Sequence, residues 1–248
     1  MLKEIHEQPE ALRATVNPRV QDGLPALGVP GLTDEYLAGV ENIHIVACGT
    51  AMHAGMVGKT AIERIARVPV YVDIASEFRY RDPSLAKRSG GHHQPERRDS
   101  GYAGRTEACQ GARRKNACCG ERGWFFHRPR GRLGSVHLRR AGDCVASTKA
   151  YSVQMAVLYL FALRLALVRG AQDECIVRHL TVELQRVPEL LRPILKDCDN
   201  IKYLASQFMN SDHLFFMGRG FDYALSLEGS LKLKEISYVH SEPTRPAS

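Results

Sequence analysis

Acidic residues are scarce where basic ones crowd. Between Arg88 and Arg140 the chain carries 13 of its 34 Lys+Arg but only 4 of its 27 Asp+Glu, a net charge of +9. The same stretch has no Ile, a single Val (Val136) and the only Trp (Trp124), yet holds 9 of the 21 Gly. So few β-branched residues, with no period of 2 or 3.6, exclude the pattern of central strands in a buried parallel sheet. Elsewhere 21 basic residues meet 23 acidic ones, so the formal +7 of the whole chain belongs to one internal segment.

Other absences narrow the class. The N-terminus Met1 to Glu7 lacks the apolar core of a signal peptide, and the seven cysteines are an odd number. A reduced, cytoplasmic chain is the expectation. The longest apolar run, Val153 to Val168, is interrupted by Gln154 and Arg164. It is short for a bilayer, so a buried helix and no membrane segment are expected. Cys109, Cys118, Cys119, His92, His93, His127 and His137 fit no CxxC or HxxxH spacing, so no metal is expected. Arg113-Arg114-Lys115 and Arg128-Pro129-Arg130 could meet a phosphate backbone. Without aromatic platforms or a helix face to present them, a disordered segment and no nucleic-acid partner are expected.

The remainder is ordinary. At 248 residues, 44% hydrophobic and 25% charged, the chain can fill a core and is neither collagen-like nor wholly disordered. Residues 1–15 read as a short helix or linker, and Asn17 to Thr33, rich in Pro and Gly, as irregular. Ile43 to Ala47 reads as a buried strand, Cys48-Gly49-Thr50 as a turn and Ala51 to Arg67 as a helix. A second strand, Val68 to Asp73, completes a βαβ unit and implies a parallel sheet. A long helix opens after Ser147 or Thr148 and closes at Gly170, and another spans about Asp173 to Leu191. His213 to Met217, Gly218-Arg219-Gly220 and Tyr223 to Tyr238 then repeat the strand–turn–helix order. The expected organisation is an N-terminal segment over 1–33, a first α/β module over 34–190 with an aberrant 88–144, and the start of a second over 195–248.

Several residues have two readings. Cys48-Gly49-Thr50, at a strand's carboxyl edge and a helix N-terminus, could cradle a phosphate or be a plain βα turn. Ser147 and Thr148 could cap a helix or hold an anion. Glu228, Lys232 and Glu235 share one helix face, as a solvated ion-pair stripe or as a carboxylate beside a lysine that could act as a general base.

Longer words carry a resemblance. Lys3-Glu4-Ile5-His6-Glu7-Gln8-Pro9, Ala47-Cys48-Gly49-Thr50, Asp73 to Arg81, Val145 to Ala150 and Leu227 to His240 stand in an order similar to the isomerase part of glutamine–fructose-6-phosphate aminotransferases. That family joins a glutaminase domain to two sugar-isomerase (SIS) domains and makes glucosamine 6-phosphate from fructose 6-phosphate and glutamine. The resemblance implies SIS-type parallel sheets flanked by helices, no cofactor, and a sugar-phosphate partner. It also implies a homodimeric family, without saying what state this chain adopts. By it, Cys48, Gly49, Thr50, Val145 and Ser147 bind substrate; Glu235 is the base that moves a proton between C1 and C2, with Lys232 beside it. Ala51 replaces a serine common there and loses one hydroxyl.

The family's glutaminase domain, Ser-Gln-Ser-Gly-Glu-Thr phosphate loop, ring-opening His and Schiff-base Lys have no counterpart in this sequence. One codon choice for Gly91 to Ser100, read one base later, encodes Val-Ile-Ile-Ser-Gln-Ser-Gly-Glu-Thr-Ala, which contains the missing loop. Trp124 to Arg128 shifts to Gly-Ser-Ser-Ile-Ala, and Glu242 onward to Glu-Ala-Tyr-Ala-Ala-Gly-Glu-Leu, both family words. The expectation is that about 88–144 and 243–248 are translated out of frame. The chain would then fold marginally and have little or no synthase activity. The alternatives are a non-catalytic SIS-type sugar-phosphate binder and, third, a basic nucleic-acid-binding protein.

Overall fold

The computed structural model describes residues 1–29, 31–78, 80 and 148–246, and by backbone alone 116–120, 123–127 and 133–136. The zinc candidates' side chains, Val145, Ser147 and most of the basic stretch lie outside the described set.

The first module is built on a five-stranded sheet of order β4-β3-β5-β6-β7, with β3 Asn42–Ala47, β4 Val70–Ile74, β5 Asn116–Gly120, β6 Gly123–His127 and β7 Leu133–Val136. β3 pairs parallel with both neighbours, Ile43 opposite Val70 on one side and Ala117 on the other. Ile43, Ile45 and Ala47 are fully buried, which explains the near-continuous apolar run of β3. Between β3 and β4 runs α4, Gly49–Ile65, which completes the expected βαβ unit two residues earlier than its sequence suggested.

The basic stretch does supply strands, contrary to the sequence expectation. β5 lies beside β3, and β6 and β7 follow antiparallel, with Gly120 opposite Gly123 at the turn. A ladder is made by backbone groups, and Trp124-Phe125-Phe126 are strong strand formers. The missing β-branched residues therefore do not prevent pairing.

Helix α6, Lys149–Val168, lies against α4 and forms the centre of the core with Leu158, Phe161, Ala162, Leu165 and Ala166. It is long and apolar enough to cross a membrane, yet more than half of its apolar window is buried inside the fold. Leu158 packs over Gly58 of α4, where a Cβ would come within 2.7 Å of its Cδ2. The glycine is what lets the two helices approach.

Of the two readings for residues 1–15, the helical one holds: α1 is Leu2–His6 and α2 is Gln8–Val16. Leu12 and Val16 pack against Ala156 and Leu160 of α6 and against Leu184, Val187 and Leu191 of α7, Glu174–Lys196. Lys149 Nζ meets Glu7 at 2.7 Å and Ser152 donates to Gln8 at 2.5 Å, so the N-terminal helices are bolted onto α6. The Asn17–Thr33 region is less irregular than expected. Val20-Gln21 and Leu24-Pro25 form a small hairpin, β1 and β2, around Asp22-Gly23, both with positive φ as a type I′ turn requires. α3, Asp34–Ala38, is capped by the Thr33 hydroxyl and tied to α6 by the two-pronged Arg164–Asp34 pair at 2.9 and 2.5 Å.

The second strand–turn–helix set is β8 His213–Met217 and α9 Phe221–Ser237, preceded by α8, Asp199–Phe208. It does not end at its first strand and helix as the sequence implied. β9, His240–Thr244, pairs parallel with β8, and Pro243 sits opposite Phe216. Ser230 and Ser241 tie α9 to β9 through reciprocal buried hydrogen bonds of 3.0 and 3.1 Å. Much apolar surface here is open: Phe208, Phe215 and Met217 are all more than half exposed.

Candidate active site

β3 ends at Ala47 and α4 begins at Gly49, so Cys48 caps the helix with extended backbone and Gly49 follows at φ +52°. That positive φ suits glycine, and it turns the first backbone N–H groups of α4 toward the sheet's carboxyl edge. The Cys48 thiol is free and half-buried. The helix α9 of the second set packs against α4 beside this edge, with Leu231 Cδ2 3.9 Å from where a Gly49 Cβ would stand.

What joins the two helices is a carboxylate. Glu228 is 5% exposed. Its Oε1 accepts from the Thr50 hydroxyl at 2.9 Å, and its Oε2 lies 2.7 Å from His53 Nδ1. Lys232 Nζ approaches Oε1 at 3.6 Å and reaches on to Glu235 Oε2 at 2.6 Å. A buried carboxylate needs compensation, and this one has a hydroxyl and an imidazole at hydrogen-bond distance and an ammonium as a nearby counter-charge. Thr50, Lys232 and Glu235, expected from sequence to belong to one site, are thus linked through Glu228.

Two expectations change in detail. The Glu228–Lys232–Glu235 face is a solvated stripe only at its far end: Glu235 is open to water, its side chain 28% exposed, while the side chains of Lys232 and Glu228 are 13% and 6% exposed. Thr50's hydroxyl hydrogen is committed to Glu228, so any contact of Thr50 with an anion has to use its backbone N–H. Val145 and Ser147 fall outside the described residues. Thr148 is the N-cap of α6, but its hydroxyl makes no hydrogen bond among the described residues.

Sequence reasoning missed His53, Tyr151 and the central part played by Glu228. A faint signal existed for His53: it lies on the apolar stripe of α4 with Val57 and Ala61, all buried. Tyr151 is 6% exposed in the first turn of α6. Burial, reinforced by the nearby Glu228 carboxylate, pushes its phenol far above the ordinary value of 10. Among the described residues no group of three or more His, Cys, Asp or Glu side chains converges as a metal site.

This arrangement can be compared with known proteins. The C-terminal domain of glucosamine-fructose-6-phosphate aminotransferase from Francisella tularensis superposes with a TM-score of 0.78 at 30% identity, over 98% of this chain and 69% of that one. The chain belongs to the glutamine–fructose-6-phosphate aminotransferase family. Within it, the enzyme named glutamine–fructose-6-phosphate aminotransferase [isomerizing] of Caldanaerobacter subterraneus subsp. tengcongensis is 43% identical over 253 residues, covering 98% of this chain. The chain spans 40% of the length of that relative. A putative phosphosugar isomerase from Silicibacter pomeroyi DSS-3 shares the fold, with a TM-score of 0.62 at 18% identity over 98% of this chain and 70% of that one. No family model matches the sequence. The expected α/β, SIS-type architecture therefore holds.

Proposed function

We propose that this chain is the sugar-phosphate-binding portion of such an aminotransferase, with fructose 6-phosphate and glucosamine 6-phosphate as its ligands. One observation carries the reading: Lys232 and Glu235 are held at 2.6 Å from each other by a helix whose buried Glu228 is bonded to the βα turn at Thr50. The turn Cys48-Gly49-Thr50 offers backbone N–H groups and a helix N-terminus to a phosphate. Val145 and Ser147 are proposed to face the sugar. Glu235 is proposed to take the C1 proton and return it at C2, with the Lys232 contact fixing the orientation of its carboxylate.

The same proposal covers organisation and setting. Residues 1–33 form the entry segment, 34–190 the first SIS domain and 195–248 part of the second, in a cytoplasmic chain without cofactor. Neither nucleic acid nor a membrane is proposed as a partner. Binding without appreciable turnover is the behaviour proposed for this chain.

Calorimetric titration of the purified chain tests this. Saturable binding of fructose 6-phosphate, much tighter than that of fructose, is the expected result. Equal, unsaturable responses to the two sugars would sink the reading.

A further inference from the structure

One polar group of the core carries no hydrogen bond where the chemistry of its residue calls for one. The Tyr151 hydroxyl is buried and has no hydrogen-bond partner among the described residues. Native cores rarely leave an O–H donor unpaired, and where they do an acceptor is often absent from the structure. The placement of this phenol matters. Seven residues later on the same face of α6, Leu158 lies over Gly58 of α4. Burial first, and then the negative charge of Glu228, hold the phenol in its protonated form. Tyr151 therefore stands in the contact between α6 and α4, in one core cluster with Ala54, the chain neighbour of the His53 that bonds Glu228.

The chemistry of an acceptor there is constrained. The phenol stays protonated, so it can only donate to an incoming acceptor. An anionic acceptor would sit beside the Glu228 carboxylate and be repelled, whereas a neutral oxygen would not. Glu228 makes no hydrogen bond to Tyr151; it is bonded to Thr50 and His53 and paired with Lys232.

We propose that Tyr151 is a further substrate-binding residue, donating a hydrogen bond to a neutral oxygen, hydroxyl or carbonyl, of the sugar chain. The phosphate is held elsewhere, at the Cys48-Gly49-Thr50 turn. This inference rests on the sugar-phosphate reading above and adds to it a contact that discriminates sugar phosphate from bare phosphate.

The test compares the full chain with Tyr151→Phe, titrating each with fructose 6-phosphate and with inorganic phosphate while following tyrosine absorbance. The expected result is about 3- to 10-fold weaker fructose 6-phosphate binding in the variant, the range for one neutral hydrogen bond. Inorganic phosphate binding should be unchanged and the melting temperature not lowered. Fructose 6-phosphate should shift the tyrosine absorbance of the parent chain and not that of the variant. Equal sugar-phosphate affinity in the two proteins overturns this inference alone. Failure of the parent chain to bind sugar phosphate overturns both it and the functional reading. A lowered melting temperature with both ligands weakened alike assigns Tyr151 a packing role and overturns the binding one.

Discussion

His53 Nδ1 and Glu228 Oε2 lie 2.7 Å from each other although 175 residues separate them in sequence. Both side chains are less than a tenth exposed. The pair joins the first module's leading helix to the second module's, so the contact is a fastening between two repeats as well as part of a site.

Removing that carboxylate should be expensive. Glu228→Ala deprives Thr50 and His53 of a shared hydrogen-bond partner and Lys232 of a counter-charge, and a loss on the order of 3 kcal/mol is expected in chemical denaturation. Glu228→Gln keeps the shape and an acceptor for Thr50, so its cost should be smaller, about 1 kcal/mol. Equal losses in the two variants would show that charge is immaterial here.

The close approach of α4 and α6 gives a packing prediction. Gly58→Val places new methyls against Leu158, where even a Cβ would stand 2.7 Å from Cδ2. Destabilisation of about 1–3 kcal/mol is expected from overpacking. Adding Leu158→Ala should relieve part of it, and a double-mutant cycle measures the coupling.

His44 supplies a pH dependence. It stacks on Tyr71 at 5.1 Å, and burial lowers its pKa from the ordinary 6.5 against a weaker opposing pull from Asp73. The unfolded chain therefore binds the proton first. Stability should fall as pH drops below 6.5 and level off once the pH is under the folded value. A folded-state NMR titration of His44 with a midpoint at or above 6.5 would contradict this.

The reading frame is checked directly on the DNA. Sequencing the gene through the codons for 88–144 and 243–248 should reveal the shifted-frame words without intervening stops. A chain expressed with the frame restored should melt at a higher temperature than the present one, because Val and Ile, better strand formers, would then enter a stretch now rich in Gly and Arg. An unchanged or lower melting temperature would speak against the frame reading.

Much of this fold was legible because its signals are local. Ile43 to Ala47 announces a buried strand by its apolar run, and the Cys48-Gly49 turn leads straight into α4. The β1–β2 hairpin is equally local, but Pro and Gly enrichment across Asn17 to Thr33 masks the Asp22-Gly23 turn. β5 to β7 escaped because side-chain pattern reports burial, whereas strand pairing is a backbone property. Of the site, Lys232 and Glu235 could be paired by their three-residue spacing. The burial of Glu228 could not be seen. On its own helix it has the spacing of a surface ion pair, and only the docking of α9 on α4 withdraws it from water.

The clasp around Glu228 also bears on motion. Fastenings made of hydrogen bonds bury little apolar surface, so their release exposes little and costs less than opening a hydrophobic core. Phe221 and Leu231 add apolar contacts to the polar clasp, yet with Phe215 and Met217 already in contact with water the unit of β8, α9 and β9 has less to lose on opening than the core of the first module. In amide exchange the amides of α9 would then share one opening rate, faster than that of β3, and the site would exist only while the clasp is shut.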